Sequence, residues 1–156
     1  MKRAIVIGAT SGIGKEVARI LAAKGWKVGI AGRRESLLKQ LKESDPESFE
    51  YEVLDVTSED APDRLASLIS KTGGMDLYIH SSGYGMINQD LDPEEQMKTI
   101  KTNITGFVRL VNYAFHHFRA QGAGHIAEIT SVAGTRGMGI NAAYSSSKRF
   151  QMTYLT

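Results

Sequence analysis

Ser131, Tyr144 and Lys148 are the residues whose types and spacing are best suited to proton-transfer chemistry. Tyr144 and Lys148 stand four residues apart, so on a helix their side chains share one face. An ammonium group beside a phenol favours the phenolate and lowers the pKa of the phenol from about 10 toward neutrality. Such a pair can act as a general acid or base near neutral pH. The alternative is an ordinary surface pair of helix neighbours, with Ser131 as a turn serine.

A glycine-rich segment runs from Gly8 to Gly14 with the sequence GATSGIG, between the first predicted strand and the first predicted helix. Glycines allow a tight turn and a close approach of the backbone to a pyrophosphate, which binds the free N–H groups at the helix N-terminus. A strand-to-helix corner can also use glycine without binding anything. The position of this segment inside a strand–helix–strand unit favours a dinucleotide site.

The second predicted strand ends at Gly32, Arg33 and Arg34. A site selective for NAD usually has an acidic residue at this point, where it binds the ribose 2′-hydroxyl. Guanidinium groups are suited to a 2′-phosphate instead, so the two arginines predict NADP(H). The alternative is a solvated basic turn.

Short β-branched runs alternate along the chain with longer amphipathic segments. The predicted strands are Ala4–Ile7, Lys27–Ala31, Phe49–Leu54, Leu77–His80 and His125–Ile129. The predicted helices are Ile13–Lys24, Glu35–Lys42, one that begins near Pro62, and a long one from Glu94 to about Arg119. This alternation predicts an α/β fold with a doubly wound parallel sheet and helices on both faces. Because the chain ends at Thr156, we expect the helix with Tyr144 and Lys148 only to begin here.

The bulk properties of the 156 residues are those of an ordinary globular domain, with 42% hydrophobic and 23% charged residues. A net charge of +2 does not suggest nucleic acid or a membrane surface as a partner. The absence of cysteine excludes disulfides and thiolate metal sites, and no histidine spacing suggests a metal. No apolar run approaches the roughly 20 residues of a membrane span. We therefore expect a cytoplasmic protein without a metal.

The glycine turn and the Tyr-x-x-x-Lys motif together resemble the short-chain dehydrogenase/reductase family of the single-domain type. The resemblance covers all 156 residues but only about the first two-thirds of such a domain, so we expect one NAD(P)-binding domain, 1–156, that is incomplete at its C-terminus. In two places the sequence departs from the family pattern. His80, Ser81, Ser82 and Gly83 stand where the family usually has Asn-Asn-Ala-Gly, and Ile7 stands where it often has Thr. We interpret His80 as a structural residue that braces the sheet.

The resemblance also implies roles for individual residues. Tyr144 would donate a proton to a substrate carbonyl, Lys148 would lower the pKa of Tyr144 and hold the nicotinamide ribose, and Ser131 would orient the carbonyl. Asn103 would hold a water that connects Lys148 to solvent; taken alone, it could equally be a surface residue in the middle of a helix. The residues expected to bind the cofactor are Gly8, Thr10, Ser11, Gly12, Ile13, Gly14, Arg33, Arg34, Asp55, Val56, Ser82, Gly83, Tyr144 and Lys148, with the Asp55-Val56 pair touching the adenine ring.

Two functions follow as hypotheses. The first is an NADP(H)-dependent oxidoreductase that acts on a small carbonyl or secondary alcohol and forms a homo-oligomer when full length. The second is a dinucleotide-binding fragment or module without catalysis, because the segments that cover the substrate in the family do not occur before Thr156. A coding sequence that continues for about a hundred codons would favour the enzyme, since a single large α/β domain has about 250 residues.

Overall fold

The computed structural model describes residues 1–156 and contains one five-stranded sheet with six α-helices. The strands are β1 (Arg3–Ile7), β2 (Lys27–Gly32), β3 (Phe49–Val53), β4 (Leu77–His80) and β5 (His125–Glu128). The helices are α1 (Gly12–Ala23), α2 (Glu35–Ser44), α3 (Ala61–Thr72), α4 (Pro93–Ile100), α5 (Phe107–Gln121) and α6 (Ala142–Leu155). A π-helical segment, Lys101–Gly106, joins α4 to α5, and a short 3₁₀ helix, Val132–Gly134, precedes α6.

All four strand pairings are parallel, and the strand order is β3-β2-β1-β4-β5. The chain moves outward from β1 to β2 and β3, and then returns to the other side of β1 for β4 and β5. The order therefore reverses beside β1, and a crevice opens at the carboxyl ends of the strands at this point. The predicted doubly wound parallel α/β fold is confirmed.

The central strand β1 is apolar on both sides because helices cover both faces of the sheet. Ile5 and Ile7 belong to a core cluster with α3 and α5, whereas Val6 belongs to a second cluster with α1 and α2. All three side chains are at most 1% exposed. Strands buried on both faces are expected in parallel sheets, and they account for the continuous apolar run in the sequence.

Most predicted elements agree with the structure to within about two residues, but two helices differ. The predicted long helix from Glu94 is divided into α4, the π-helical segment and α5. The helix that carries Tyr144 and Lys148 does more than begin, because α6 has 14 residues and packs against the region from α4 to the π-helical segment. None of the helices combines the length and the apolar character that crossing a membrane would require.

Trp26 lies at the opposite end of the sheet from the crevice. It stands between α1 and the first residue of β2, where it is half-buried against the α1/α2 core cluster. The Lys2 ammonium lies 5.4 Å from the centroid of its ring. The indole is therefore fixed by packing at the amino ends of the strands.

Candidate active site

A cleft of about 520 Å³ opens at the carboxyl ends of the strands, where their order reverses. Ligands of open parallel sheets usually bind at this position. The predicted site residues that line the cleft are Gly8, Thr10, Ser11, Gly12, Ile13, Arg33, Arg34, Asp55, Val56, Ser82, Gly83, Tyr144 and Lys148. The three predicted site residues that are not part of its lining are Gly14, Asn103 and Ser131.

Gly8 and Gly14 allow the chain to turn tightly at the end of β1. Gly8 has a φ angle of 85°, in the left-handed region that side chains disfavour. A Cβ atom at Gly8 would lie 2.6 Å from the backbone nitrogen of Ser82, and one at Gly14 would lie 2.1 Å from the Gly8 carbonyl oxygen. The turn therefore requires glycine at both positions. Gly14 contributes by packing against the backbone of Gly8.

The N-terminus of α1 faces the cleft with backbone N–H groups that are not capped. The helix begins at Gly12, and the side chain of the N-cap residue Ser11 accepts no capping hydrogen bond. N–H groups in the first turn of a helix have no intrahelical acceptor, and the helix dipole adds positive potential there. Together with the close backbone approach at the glycines, this arrangement can hold a pyrophosphate.

Arg34 is held across the glycine turn. One of its guanidinium nitrogens donates hydrogen bonds to the hydroxyl groups of Thr10, at 2.7 Å, and Ser11, at 2.9 Å. Neither Arg33 nor Arg34 forms an ion pair with a carboxylate. Two guanidinium groups at the mouth of the cleft therefore keep their charge available for an anionic ligand.

Asp55 and Val56 follow β3 and form the side wall of the cleft. The Asp55 carboxylate accepts hydrogen bonds from the backbone N–H and the hydroxyl group of Thr57, at 2.9 and 2.7 Å, which fix its orientation. Val56 is only 7% exposed and packs into the core cluster with α3 and α5. A fixed carboxylate and an apolar wall thus lie together where the resemblance assigns the adenine ring.

Asn103 supports the cleft from behind. It is fully buried, so it is not a surface residue of a long helix. Its side-chain oxygen accepts from the Tyr84 N–H at 2.8 Å, and its amide nitrogen donates to the Tyr84 carbonyl at 2.7 Å and to the Ser147 hydroxyl at 2.9 Å. Asn103 therefore joins the loop after β4 to α6.

The π-helical segment gives Asn103 this position. Gly106, at the end of the segment, lies so close to the chain after β3 that a Cβ atom would be 2.6 Å from the Val56 carbonyl oxygen. Single π-helical turns within α-helices are frequent at functional sites. The segment therefore sets both the depth of Asn103 and the side wall at Val56.

Lys148 is buried beside Tyr144. It is 5% exposed, and its ammonium lies 5.8 Å from the centroid of the Tyr144 ring, which lines the cleft. The ammonium donates to the Ile129 carbonyl at 3.3 Å and to the side-chain oxygen of Gln151 at 3.2 Å. A buried lysine therefore lies beside a half-buried tyrosine at the cleft, unlike a solvated pair on an exposed helix face.

Burial lowers the pKa of the Lys148 ammonium, because a cation loses its hydration there; the nearby Glu128 carboxylate opposes the shift. The same burial raises the pKa of Glu128, while the charge of Lys148 lowers it. A buried cation acts strongly on its neighbours since water screens it poorly.

Ser131 lies half-buried at the start of the 3₁₀ helix. Its hydroxyl oxygen accepts a hydrogen bond from the Ala133 N–H at 3.1 Å, which leaves the hydroxyl proton available to a ligand. Ser145 ties this segment to α6, because its hydroxyl contacts the carbonyl oxygens of Ala133 and Arg136 at 2.5 and 2.8 Å. The structure thus places Ser131 on a braced segment without a hydrogen bond to Tyr144.

His80 is a buried residue of the sheet. It is 1% exposed, and its Nδ1 atom shares a 2.8 Å hydrogen bond with the Tyr78 hydroxyl. Burial lowers the pKa of His80 from 6.5 to about 3, and the positive charge of Lys148 acts in the same direction. A neutral, packed imidazole agrees with the structural role expected from the sequence.

The structure adds residues to the site that the sequence analysis missed. The chain passes so close to Tyr144 at Gly85 that a Cβ there would lie 2.3 Å from the tyrosine ring. The Tyr84 hydroxyl donates to the Glu95 carboxylate, and the Lys98 ammonium lies 4.2 Å from the centroid of the Tyr84 ring. Gln151 was also missed. It stands three residues after Lys148, and this spacing alone could have placed its side chain on the same face of the helix.

The fold and the site together define an α/β protein with a ligand-sized cleft at its topological switch point. The model of the short chain dehydrogenase family matches residues 2–155, and the chain belongs to that family of oxidoreductases, which use a nicotinamide cofactor. An uncharacterized oxidoreductase of Myxococcus xanthus is 35% identical over 160 residues, with 99% of this chain and 63% of the relative covered. One from Staphylococcus aureus strain MW2 is 32% identical, with 94% and 65% covered. The chain thus spans less than two-thirds of the length of these relatives.

Solved structures show the same fold. An actinorhodin polyketide ketoreductase variant with NADPH superposes with a TM-score of 0.90 at 28% identity, covering 98% of this chain and 62% of the other. A 3-ketoacyl-(acyl-carrier-protein) reductase of Brucella melitensis, complexed with NADH, gives 0.89 at 25% identity, covering 98% and 66%. The family resemblance predicted from the motifs is confirmed.

Proposed function

We propose that this chain is the cofactor-binding and proton-donating part of an NADP(H)-dependent oxidoreductase that interconverts a carbonyl group and a secondary alcohol. The observation that carries the proposal is the burial of Lys148 beside Tyr144 in the wall of the dinucleotide cleft. A general acid positioned beside a redox cofactor is what the reduction of a carbonyl requires.

The cleft fits a nicotinamide dinucleotide. Gly8 and Gly14 leave a cradle that a Cβ atom would fill, and the uncapped N-terminus of α1 suits the pyrophosphate. Asp55 and Val56 would hold the adenine, and Lys148 would hold the nicotinamide ribose. When bound, the cofactor supplies a hydride to the substrate carbon.

The residues of this chain supply the proton, stabilise the phenolate that remains and orient the substrate. The Tyr144 hydroxyl donates its proton to the carbonyl oxygen, and the Lys148 cation favours this step because it stabilises the phenolate that remains. The free hydroxyl proton of Ser131 bonds the same oxygen and orients it. Asn103 holds the loop after β4 against α6 and so keeps Tyr144 and Lys148 in place.

The preference for NADP(H) rests on Arg33 and Arg34. One solved neighbour contains NADPH and another NADH, so the shared fold does not select between them. The end of β2 has two arginines without carboxylate partners, and Arg34 is already oriented by Thr10 and Ser11. A guanidinium group binds a phosphate through charge-assisted hydrogen bonds, which gives the 2′-phosphate a specific partner.

Calorimetric titration with NADPH and NADH tests the proposal. We expect tighter binding of NADPH, and we expect Arg34→Ala to weaken NADPH binding roughly ten- to a hundredfold while changing NADH binding little, as the loss of a hydrogen bond between charged groups implies. Arg19→Ala is the control, because Arg19 is an exposed residue of α1 that pairs with Glu16. Equal affinity for both cofactors would overturn the NADP(H) preference, and binding of neither would overturn the proposed cofactor site.

A further inference from the structure

Gln151 connects two residues of the proposed active site. It lies on α6 one turn after Lys148 and is 1% exposed. Its side-chain oxygen accepts from the Lys148 ammonium at 3.2 Å, and its amide nitrogen donates to the Asn103 carbonyl oxygen at 2.9 Å. A buried carboxamide with both ends bonded holds its two partners at a fixed separation.

The orientation of this carboxamide is determined by its partners. A main-chain carbonyl can only accept a hydrogen bond and an ammonium can only donate one, so the nitrogen of Gln151 must face Asn103 and its oxygen must face Lys148. The reversed orientation would leave both contacts unsatisfied in a buried position. Gln151 is therefore fixed in one orientation.

Lys148 depends on this contact because it has few other acceptors. Its ammonium bonds the Ile129 carbonyl and Gln151. The titratable groups that face it are Glu128 from β5, His80 from β4 and Tyr144 from its own helix. A buried cation is costly unless acceptors surround it.

We propose that Gln151 is a positioning residue that holds the Lys148 ammonium beside Tyr144 and links it to the Asn103 carbonyl. The proposal rests on the proposed function, because it assigns Gln151 a role through Lys148. A side chain of the protein makes this link, so the position of the ammonium is set by packing of α6 against the π-helical segment.

The titration of Lys148 tests this role. A hydrogen-bond acceptor favours the charged form of lysine, so Gln151→Met should lower the pKa of Lys148 further. Gln151→Glu should raise it, because a carboxylate then faces the ammonium. The measurement is an NMR titration of the Lys148 side-chain carbon, assigned by its absence in Lys148→Met.

The matched control is Gln121→Met. Like Gln151, Gln121 uses its side-chain amide to donate to the main chain, here to the carbonyls of Met75 and Ala123, but it lies at the end of α5 away from the cleft. We expect this variant to leave the pKa of Lys148 unchanged. An equal shift in Gln121→Met would overturn the proposal, since the effect would then reflect general loosening.

The outcomes separate this inference from the proposed function. An unchanged pKa of Lys148 in Gln151→Met overturns the inference; if that variant does not fold, an unchanged pKa in Gln151→Glu does so. Because the readout needs no cofactor, opposite shifts in the two variants support the link even if NADPH fails to bind. NADPH binding by the unchanged chain without those shifts would retain the function and remove the role of Gln151.

Discussion

At the scale of single residues, the proposed chemistry depends on the Tyr144 hydroxyl. The loop segment at Gly85 packs against the Tyr144 ring, and Lys148 lies buried on α6, the helix that also carries Tyr144. The ring is therefore held by its neighbours, and removing the oxygen should leave the surrounding wall intact. Loss of the hydroxyl then removes the proton donor alone.

We expect Tyr144→Phe to reduce turnover by roughly a hundred- to ten-thousandfold, the range for loss of a general acid, and to leave NADPH binding nearly unchanged. The measurement is NADPH consumption with a panel of ketones and aldehydes. Tyr154→Phe is the control, because Tyr154 is on the same helix and its hydroxyl bonds Asn112. Turnover retained in Tyr144→Phe would refute the assignment of the acid.

Sequence spacing was sufficient for some residues and not for others. Tyr144 and Lys148 could be paired in advance because the four-residue spacing on a helix is local information. Asn103 could not be placed behind the cleft, since its burial depends on contacts with Tyr84 and Ser147, distant in the sequence. Gln151 was missed because a carboxamide has no charge or motif that singles it out.

At the scale of the elements, the π-helical segment sets the spacing between the side wall of the cleft and its rear. The helix α4, this segment and α5 follow one another without a break, so the sequence predicts them as a single long helix. Within the segment, Gly106 lies in tight contact with the Val56 carbonyl, and no local pattern reveals this contact.

Gly106→Ala tests the importance of this contact. Alanine is intrinsically favoured over glycine in a helix by about 1 kcal/mol, but its Cβ would lie 2.6 Å from the Val56 carbonyl oxygen. We expect a net loss of about 1–3 kcal/mol in the free energy of unfolding, as in other overpacked sites, together with weaker NADPH binding. Urea unfolding followed by circular dichroism measures the first effect.

Gly137→Ala is the matched control, because a Cβ atom at Gly137 would meet nothing within 4 Å. This variant should unfold at nearly the same urea concentration as the unchanged chain. A Gly106→Ala variant as stable as the Gly137→Ala variant would show that the two segments separate without cost.

At the scale of the whole molecule, the buried His80 makes the stability of the fold depend on pH. The pKa of His80 is 6.5 in its ordinary state and about 3 in the fold. Below pH 6.5 His80 binds a proton in the unfolded chain but not in the folded one. The free energy of unfolding therefore decreases as the pH falls from 6.5 toward 3. Glu128, whose pKa is raised by burial, acts in the opposite direction.

We expect the free energy of unfolding to decrease by about 2 kcal/mol between about pH 7.5 and about pH 5, where acidic groups with lowered pKa values contribute little. His80→Asn should be less stable at neutral pH but should lose most of this pH dependence. His125→Asn, at an exposed position of β5, should retain it. Urea unfolding at the two pH values measures this change in the free energy of unfolding. An equal change in the unaltered chain and in both variants would contradict the role of His80.

The fold as a whole was predictable because its signals are repeated along the chain. The strands are short segments and the crossovers are longer amphipathic ones, so errors of one or two residues at the ends do not change the topology. The depth of individual polar residues was not predictable, because burial of Asn103, Lys148 and Gln151 is set only when α6 packs on the π-helical segment.

Trp26 is the only tryptophan of the chain, and its fixed position gives the protein a built-in optical probe. It stands at the amino end of β2, whereas the cofactor cleft opens at the carboxyl end, about 20 Å away for six residues of strand. Indole emission therefore reports the packing of α1 and α2 on the sheet. A change confined to the cleft would leave this packing in place, so tryptophan emission of the unliganded chain distinguishes local opening of the site from global unfolding.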